Sequence, residues 1–385
     1  MGKRRMNERM AELGHSEIRA MTQACVEAQG LNMAQGVCDL PVPTIVLKAA
    51  ILAMEQGRNV YSRFDGTPEL RQALAVKLRR DNGIEADPDT DITVSAGATG
   101  SFHAACLALL NPGDEVILFE PYYQYHVSAL SAVEAVPVFV RMQAPDWVFD
   151  LEALDRAVTP RTKAIIVNSP GNPSGRVFSR SELESVARIA GRHDLFVFTD
   201  EIYEYFVYDG RRHVSIASLP DMAERTITIG GYSKTFSITG WRIGYSVASA
   251  RWAQAIGAMN DLLYVCAPTP LQAGVTAGIQ ELPESFYRQL AKDYQAKRDR
   301  FCTALVQAGL TPSVPQGAYY VLADASRLPG KTGKERAMHL LKTAGIAGVP
   351  GEAFFSGPEG TRFIRFSYAK TDSDIDEACR RLARL

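Results

Sequence analysis

The sequence predicts an α/β protein, with a large domain built on a mostly parallel sheet and a smaller α+β domain beside it. Three observations carry this reading. From about residue 90, short runs rich in Val, Ile and Phe alternate with stretches of helical periodicity. Those runs are nearly apolar throughout, as strands covered by helices on both faces are. Beyond about Pro283 the alternation gives way to one long polar helix, two strands and two further helices.

In chain order, the strands of the large domain are DITVSAG, DEVILFE, AVPVFV, TKAIIVNSP, DLFVFTDE, TITIGGYS and GYSVAS. Turn signals such as Asn111-Pro-Gly-Asp fall between them. An Ala- and Leu-rich helix is expected to start near Ser101, and Ser181 opens ELESVARIAG at capping-box spacing. These elements set the large domain at 44–278. The helix ESFYRQLAKDYQAKRDRFCTALVQAG, the strands GAYYVLAD and FIRFSYA and a closing helix make the smaller domain, over 1–43 and 283–385. No internal repeat or low-complexity tract interrupts the chain.

Over 385 residues, 42 basic and 43 acidic side chains nearly cancel, and no basic stripe with interleaved aromatics occurs. A nucleic-acid or anionic-membrane surface is therefore not indicated, and the expected partner is a small molecule. Cys25, Cys38, Cys106, Cys266, Cys302 and Cys379 are scattered, with no CxxC pair and no His at ligand spacing. That argues against a disulfide framework and against a metal site, and fits a reducing cytoplasm. The basic start MGKRRMNERM lacks the apolar core of a signal peptide, and no apolar run is long enough to span a membrane.

Three motif fragments lead nowhere. Pro329-Gly-Lys-Thr ends like a phosphate loop, but the first glycine would have to be Ala325. Gly231-Tyr-Ser-Lys lacks the last glycine of a GxSxG elbow, and Asn172-Pro-Ser has Pro directly after Asn, which bars glycosylation.

The stretch GGYSKTFSITGWRIGY, from Gly230 to Tyr245, carries the chemistry. A lysine after a strand is normally solvated, so Lys234 is judged by its neighbours. Ser233, Ser237 and Thr239 supply hydroxyls, Gly230, Gly231 and Gly240 allow close backbone approach, and Arg242 offers a planar fork for a phosphate. Such a set suits a phosphorylated aldehyde held as a Schiff base.

Gly231-Tyr-Ser-Lys-Thr-Phe-Ser-Ile-Thr-Gly-Trp-Arg-Ile-Gly resembles the lysine attachment motif of the fold-type I pyridoxal-phosphate enzymes, the class I/II aminotransferases. The resemblance implies pyridoxal 5'-phosphate as cofactor, an internal aldimine at Lys234, and Ser233 and Arg242 on the cofactor phosphate. Further landmarks follow in the family's order. Asp200 in VFTDEIYEYF matches the carboxylate that keeps the pyridine nitrogen protonated, and Tyr203 the tyrosine on the phenolic oxygen. Asn172, in NSPGNPSG, matches a second donor to that oxygen and also a substrate contact. Such donors favour the unprotonated imine at neutral pH. Gly97, Ala98 and Thr99 lie at a strand-to-helix turn, where backbone N–H groups and the helix dipole suit an anion, and match a second phosphate contact. Tyr123 aligns with the ring stacked on the pyridine. Tyr61 is similar to a tyrosine that reaches the phosphate of the other subunit's cofactor, which implies a homodimer with shared sites. Arg365 matches the clamp on the substrate α-carboxylate, and Gly36 begins a segment lining the substrate pocket.

The resemblance thus implies an aminotransferase moving an amino group between an L-amino acid and a 2-oxo acid, with Lys234, Asp200 and Tyr203 as catalytic residues. An elimination, replacement or cyclising enzyme would use the same carbanion, and a non-catalytic effector-binding domain would share the fold. The pattern departs at Gly36-Val-Cys-Asp-Leu-Pro and at Ser62-Arg63-Phe64-Asp65. Cys38, Asp39 and Arg63 are thus open as substrate contacts. An inward Arg63 would favour a second carboxylate, an outward one would pair with Asp65, and nearby Tyr and Phe residues would accept aromatic substrates.

Overall fold

Strands form where β-branched and aromatic runs can bury both faces, and the computed structural model shows how those runs assemble. It describes residue 7, residues 16–38 and residues 40–385. A first helix, α1 (Glu17–Glu27), leads to the short strand β1 (Leu31–Asn32), then to α2 (Thr44–Glu55) and α3 (Pro68–Lys77). Next come β2 (Ile92–Ala96), α4 (Gly97–Leu109), β3 (Glu115–Glu120), α5 (Gln124–Ala132), β4 (Val136–Gln143) and β5 (Val148–Phe149). The chain continues through α6 (Leu151–Arg156), β6 (Thr162–Asn168), α7 (Arg180–Arg192), β7 (Phe196–Asp200), β8 (Thr226–Gly231) and β9 (Ile243–Val247).

Strands β2 to β9 form one eight-stranded sheet in the order β2-β9-β8-β7-β6-β3-β4-β5. The pairs β4–β3–β6–β7–β8 are parallel, while β9 runs antiparallel to both β8 and β2. The apolar runs have a direct cause. Ile117, Ile165, Val167 and Val197 pack into the core on one face, and Val116, Leu118, Ile166 and Phe198 into the core on the other. With no solvent face, a central strand has no place for polar alternation.

Registers Asn168↔Asp200 and Asp200↔Ile229 bring the carboxyl ends of β6, β7 and β8 level. Because β9 reverses, β2 ends at the same edge, and α4 starts there. Ligands of open α/β sheets bind at such an edge.

Two start signals differ from the sequence expectation. Helix α4 begins at Gly97 rather than near Ser101, with Gly97 at φ +77, so the small residues form its first turn. The capping box of α7 belongs to Ser179, whose Oγ accepts from Glu182 N while the Glu182 carboxylate accepts from Ser179 N. Ser179 has the extended backbone an N-cap needs, and Ser181 already lies inside the first turn.

The remaining chain comprises α8 (Ala250–Tyr264), α9 (Thr269–Glu281), α10 (Glu284–Gln307), β10 (Thr311–Ser313), β11 (Tyr320–Asp324), α11 (Gly333–Ala344), β12 (Ile346–Ala347), β13 (Val349–Pro350), β14 (Phe363–Ser367) and α12 (Asp372–Leu382). An antiparallel sheet of order β10-β11-β14-β13 forms there, and β1 pairs with β12, tying the N-terminal segment to this C-terminal part. Among the described residues no helix is long and apolar enough to cross a membrane.

Candidate active site

A cavity of about 480 Å³ opens at the carboxyl edge of the large sheet, a size usual for small-molecule sites. Ten of the sequence-predicted residues line it: Ala98, Thr99, Tyr123, Asn172, Asp200, Tyr203, Ser233, Lys234, Arg242 and Arg365. Gly36 lines it as well. They come from seven separate stretches of the chain, gathered by strand register and by the packing of the C-terminal part.

Lys234 follows β8. Its Nζ donates to the Gly36 carbonyl across a long 3.5 Å and lies 5.9 Å from the centre of the Tyr319 ring. Gly36 must be glycine for a steric reason, since a Cβ there would fall 1.8 Å from Tyr320 Oη. Arg242 sits in the left-handed region at φ +57, its Nη1 donating to the Thr239 carbonyl at 3.0 Å and Nη2 to that of Ala96 at 3.4 Å. This sets the guanidinium beside the first turn of α4. Gly97 holds that turn without lining the cavity, and Ser233 is buried next to Lys234.

At the end of β7, Asp200 is buried, accepting from Ile202 N at 3.2 Å on one oxygen and meeting His126 Nε2 at 3.1 Å on the other. Tyr203 Oη donates to Tyr320 Oη at 3.2 Å, and burial raises the Tyr203 hydroxyl well above its ordinary value. It therefore remains a neutral donor through the neutral range. Burial also raises Tyr123.

Arg365 is fully buried on β14, not part of a rim salt bridge. Its Nη1 donates to Asn172 Oδ1 at 3.0 Å and Nη2 to the Ala34 carbonyl at 2.6 Å, with the Tyr320 ring 4.4 Å and the Phe354 ring 4.9 Å away. Nε is buried without a partner. Among the described residues no acidic side chain pairs with Arg365, and burial lowers its pKa from the ordinary value. A buried cation without a counter-charge is costly, so an anion from outside the chain would suit this one.

The family model of class I and II aminotransferases matches residues 28–382. The chain belongs to the class I and II aminotransferases. It is 34% identical to the kynurenine–oxoglutarate transaminase 3 of Mus musculus, over 93% of this chain and 85% of that protein. It is 34% identical to the aspartate aminotransferase of Pyrococcus abyssi, over 99% and 98%. The solved structure of N-succinyldiaminopimelate aminotransferase from Mycobacterium tuberculosis superposes with a TM-score of 0.95 at 34% identity, covering 98% of this chain and 99% of that one.

This aminotransferase is an enzyme that depends on pyridoxal 5'-phosphate and acts on amino acid and 2-oxo acid substrates. Of the reactions open from the sequence, amino transfer is the one its relatives carry out. Its cavity suits the cofactor on the chemistry of its donors. Phosphate has Arg242, the N-terminal turn of the 13-residue α4 and the Ser233 hydroxyl, an aldehyde has Lys234, and a protonated ring nitrogen has the buried Asp200 carboxylate.

Not every expected residue reaches the aminotransferase cavity. Tyr61 is 80% exposed and lies outside it in the single chain. Arg63 turns to Asp65, Nε to Oδ1 at 2.9 Å, so the outward alternative holds. Cys38 does not line the cavity and its thiol meets the Lys234 carbonyl at 3.5 Å, while Asp39 lies outside the described residues.

Several lining residues escaped the sequence reading: Ile18 and Arg19 of α1, Gln35, Tyr125, His126 and Tyr320. His126 had a weak signal, standing three residues after Tyr123. Tyr320 lies in GAYYVLAD, where either tyrosine could face the site. Arg19 had none, because only the fold brings α1 to this edge.

Behind β7 lies a buried polar network. Lys77 Nζ donates to both oxygens of Glu204, at 2.6 and 2.5 Å, and to Asn82 Oδ1 at 2.7 Å. Glu201 accepts from Ser215 Oγ at 2.7 Å and meets His213 Nε2 at 2.8 Å. These contacts anchor the turn that carries Asp200 and Tyr203.

Proposed function

We propose that this cavity is the transamination site, that Lys234 holds the cofactor, and that the substrate α-carboxylate seats on Arg365. The observation that supports it most is the buried, acid-free Arg365 sharing one cavity with Lys234, Asp200 and Arg242. Pyridoxal phosphate, when bound, supplies a carbonyl carbon for an amine and a conjugated ring that accepts the electrons left when the Cα proton departs.

Each side chain then has a task. Arg242, Ser233 and the N–H groups of Ala98 and Thr99 grip the phosphate, with Gly97 shaping the turn. Asp200 keeps negative charge at the ring nitrogen, and His126 orients its carboxylate. Tyr203, its hydroxyl turned from Tyr320, and the amide N–H groups of Asn172 donate to the phenolic oxygen, since Asn172 Oδ1 is already taken by Arg365. Tyr123 covers the ring face. Arg365 orients the substrate so that its Cα–H meets Lys234, whose Nζ takes that proton. The long bond to Gly36 leaves the amine little held and able to swing.

We further read 44–278 as the cofactor-binding domain, with 1–43 and 283–385 as the smaller one, in a cytoplasmic homodimer. Exposed Val60, Tyr61 and Leu262, at 73%, 80% and 78%, support a covered apolar face, and Tyr61 would reach the partner's cofactor phosphate. Among the described residues no disulfide joins the cysteines, which fits a reducing compartment.

Borohydride reduction of the holoenzyme followed by peptide mapping tests the assignment. The cofactor is expected on Lys234 and is lost in Lys234→Ala. Stoichiometric amination of the cofactor by amino acids, without continuous ammonia release, is expected. Label on another lysine, or ammonia release over many turnovers, refutes it.

A further inference from the structure

Tyr320 lines the cavity between Arg365 and Tyr203 and is almost fully buried. Strand pairing fixes its place. In the antiparallel pair β11–β14, Leu322 stands opposite Arg365, so Tyr320, two residues along β11, is a diagonal neighbour of Arg365 on the same face. The Arg365 guanidinium carbon accordingly lies 4.4 Å from the centre of the Tyr320 ring, a cation held against an aromatic face. The hydroxyl at the far end of the ring reaches Tyr203. The two hydroxyl oxygens are 3.2 Å apart, with the rings nearly perpendicular at 87°. Gly36 leaves the room for this arrangement, since a Cβ there would fall 1.8 Å from Tyr320 Oη.

A phenol both donates and accepts, so one oxygen pair serves a hydrogen bond in either direction. In the structure Tyr203 donates to Tyr320, and among the described residues the Tyr320 proton has no acceptor. Once the Tyr203 proton turns to the cofactor's phenolic oxygen, the Tyr203 oxygen is free to accept. The contact then reverses, with Tyr320 donating to Tyr203 and Tyr203 to the cofactor. A hydroxyl that accepts a hydrogen bond donates a stronger one, because each bond polarises the next. Burial, and after it the neighbouring Tyr320, raise the Tyr203 hydroxyl well above its ordinary value, so it enters this chain as a neutral donor.

We propose that Tyr320 is a positioning residue for amino transfer, which donates to Tyr203 and so sets how strongly Tyr203 donates to the phenolic oxygen. Donation to that oxygen favours the unprotonated form of the bound chromophore, so Tyr320 lowers the pH at which this form appears. Tyr320 touches no reacting atom and acts through Tyr203. The inference rests on the proposed assignment of Tyr203 to the phenolic oxygen, so both tyrosines are varied in the test.

Holoenzymes of wild type, Tyr320→Phe, Tyr320→Leu, Tyr203→Phe and the double variant Tyr203→Phe/Tyr320→Phe, each shown to be folded by circular dichroism, are titrated with pH by visible absorbance. Tyr320→Phe keeps a ring on Arg365 and removes only the hydroxyl. It is expected to move the absorbance midpoint upward by about 0.3 to 0.5 pH unit, the share of a charge-assisted hydrogen bond that polarisation by a second bond supplies. Tyr203→Phe should move it further, and adding Tyr320→Phe to Tyr203→Phe should give no additional shift. An unchanged midpoint in Tyr320→Phe overturns the inference. A shift in Tyr320→Leu without one in Tyr320→Phe overturns it too, since the ring on Arg365 and not the hydroxyl would then act. Full additivity in the double variant has the same consequence, because the effect would bypass Tyr203. If Tyr203→Phe itself leaves the midpoint unchanged, the assignment of Tyr203 fails and the inference falls with it.

Discussion

Replacing Gly97 by Ala would disturb the end of the cavity proposed for the phosphate in two separable ways. Gly97 has φ +77, where a Cβ costs about 1–2 kcal/mol of backbone strain. That cost falls on the protein with or without cofactor and is expected as a lower Tm of both forms. The second effect is local. The new Cβ would lie 2.3 Å from Arg242 Nη2 and 2.6 Å from Cζ, so the guanidinium must move by roughly 1 Å to regain van der Waals contact. A charge-assisted hydrogen bond to a phosphate contributes about 1.5–3 kcal/mol, so losing one weakens cofactor affinity roughly 10- to 150-fold. Titration of the apoenzyme with pyridoxal 5'-phosphate, followed by absorbance, measures this. Because the effect is transmitted through Arg242, Gly97→Ala added to Arg242→Met should cost little further affinity. Unchanged affinity in Gly97→Ala, or full additivity with Arg242→Met, would refute the reasoning.

Three further outcomes are expected. His126→Phe removes the 3.1 Å partner of a buried Asp200 oxygen and should cost about 1–3 kcal/mol, read as a lower kcat in a protein that remains folded by circular dichroism. Lys77→Met leaves the Glu204 carboxylate buried without its cation and should destabilise by about 3–5 kcal/mol in denaturant melts, much of which Glu204→Leu in the same chain should restore. Burial raises Tyr203, Tyr232, Tyr245 and Tyr319 well above their ordinary value of 10.0. Their folded forms hold protons that the unfolded chain releases, so the stability they contribute is complete below pH 10 and falls as pH rises above it. Part of the tyrosinate absorbance should therefore appear only with cooperative unfolding. Complete titration of all fifteen tyrosines in a protein that stays folded near pH 10 would contradict this.

The parts of the site legible in the sequence are those whose chemistry and spacing are local. Lys234 and Arg242 stand eight positions apart in one loop, and Asp200 and Tyr203 share one strand exit. Small residues after DITV marked the turn proposed for the phosphate, although α4 starts four residues earlier than expected. The Ser179 cap was missed because two serines stood at workable spacings, and only the backbone angles chose between them.

Sequence alone determined the parallel-sheet class, through apolar runs that admit no solvent face, and the Schiff-base chemistry, through a motif within one loop. It left open the direction of Arg63, the partner of Arg365 and the presence of Arg19. Tertiary structure decided each of these. Arg63 is neutralised two residues away by Asp65, an outcome set by rotamer and packing. Arg365 meets Asn172 across 193 positions, and α1 reaches the cavity because β1 pairs with β12 at the other end of the chain. Local patterns record what a segment will become, while the charges that confront one another in a pocket depend on contacts made only when distant segments pack together.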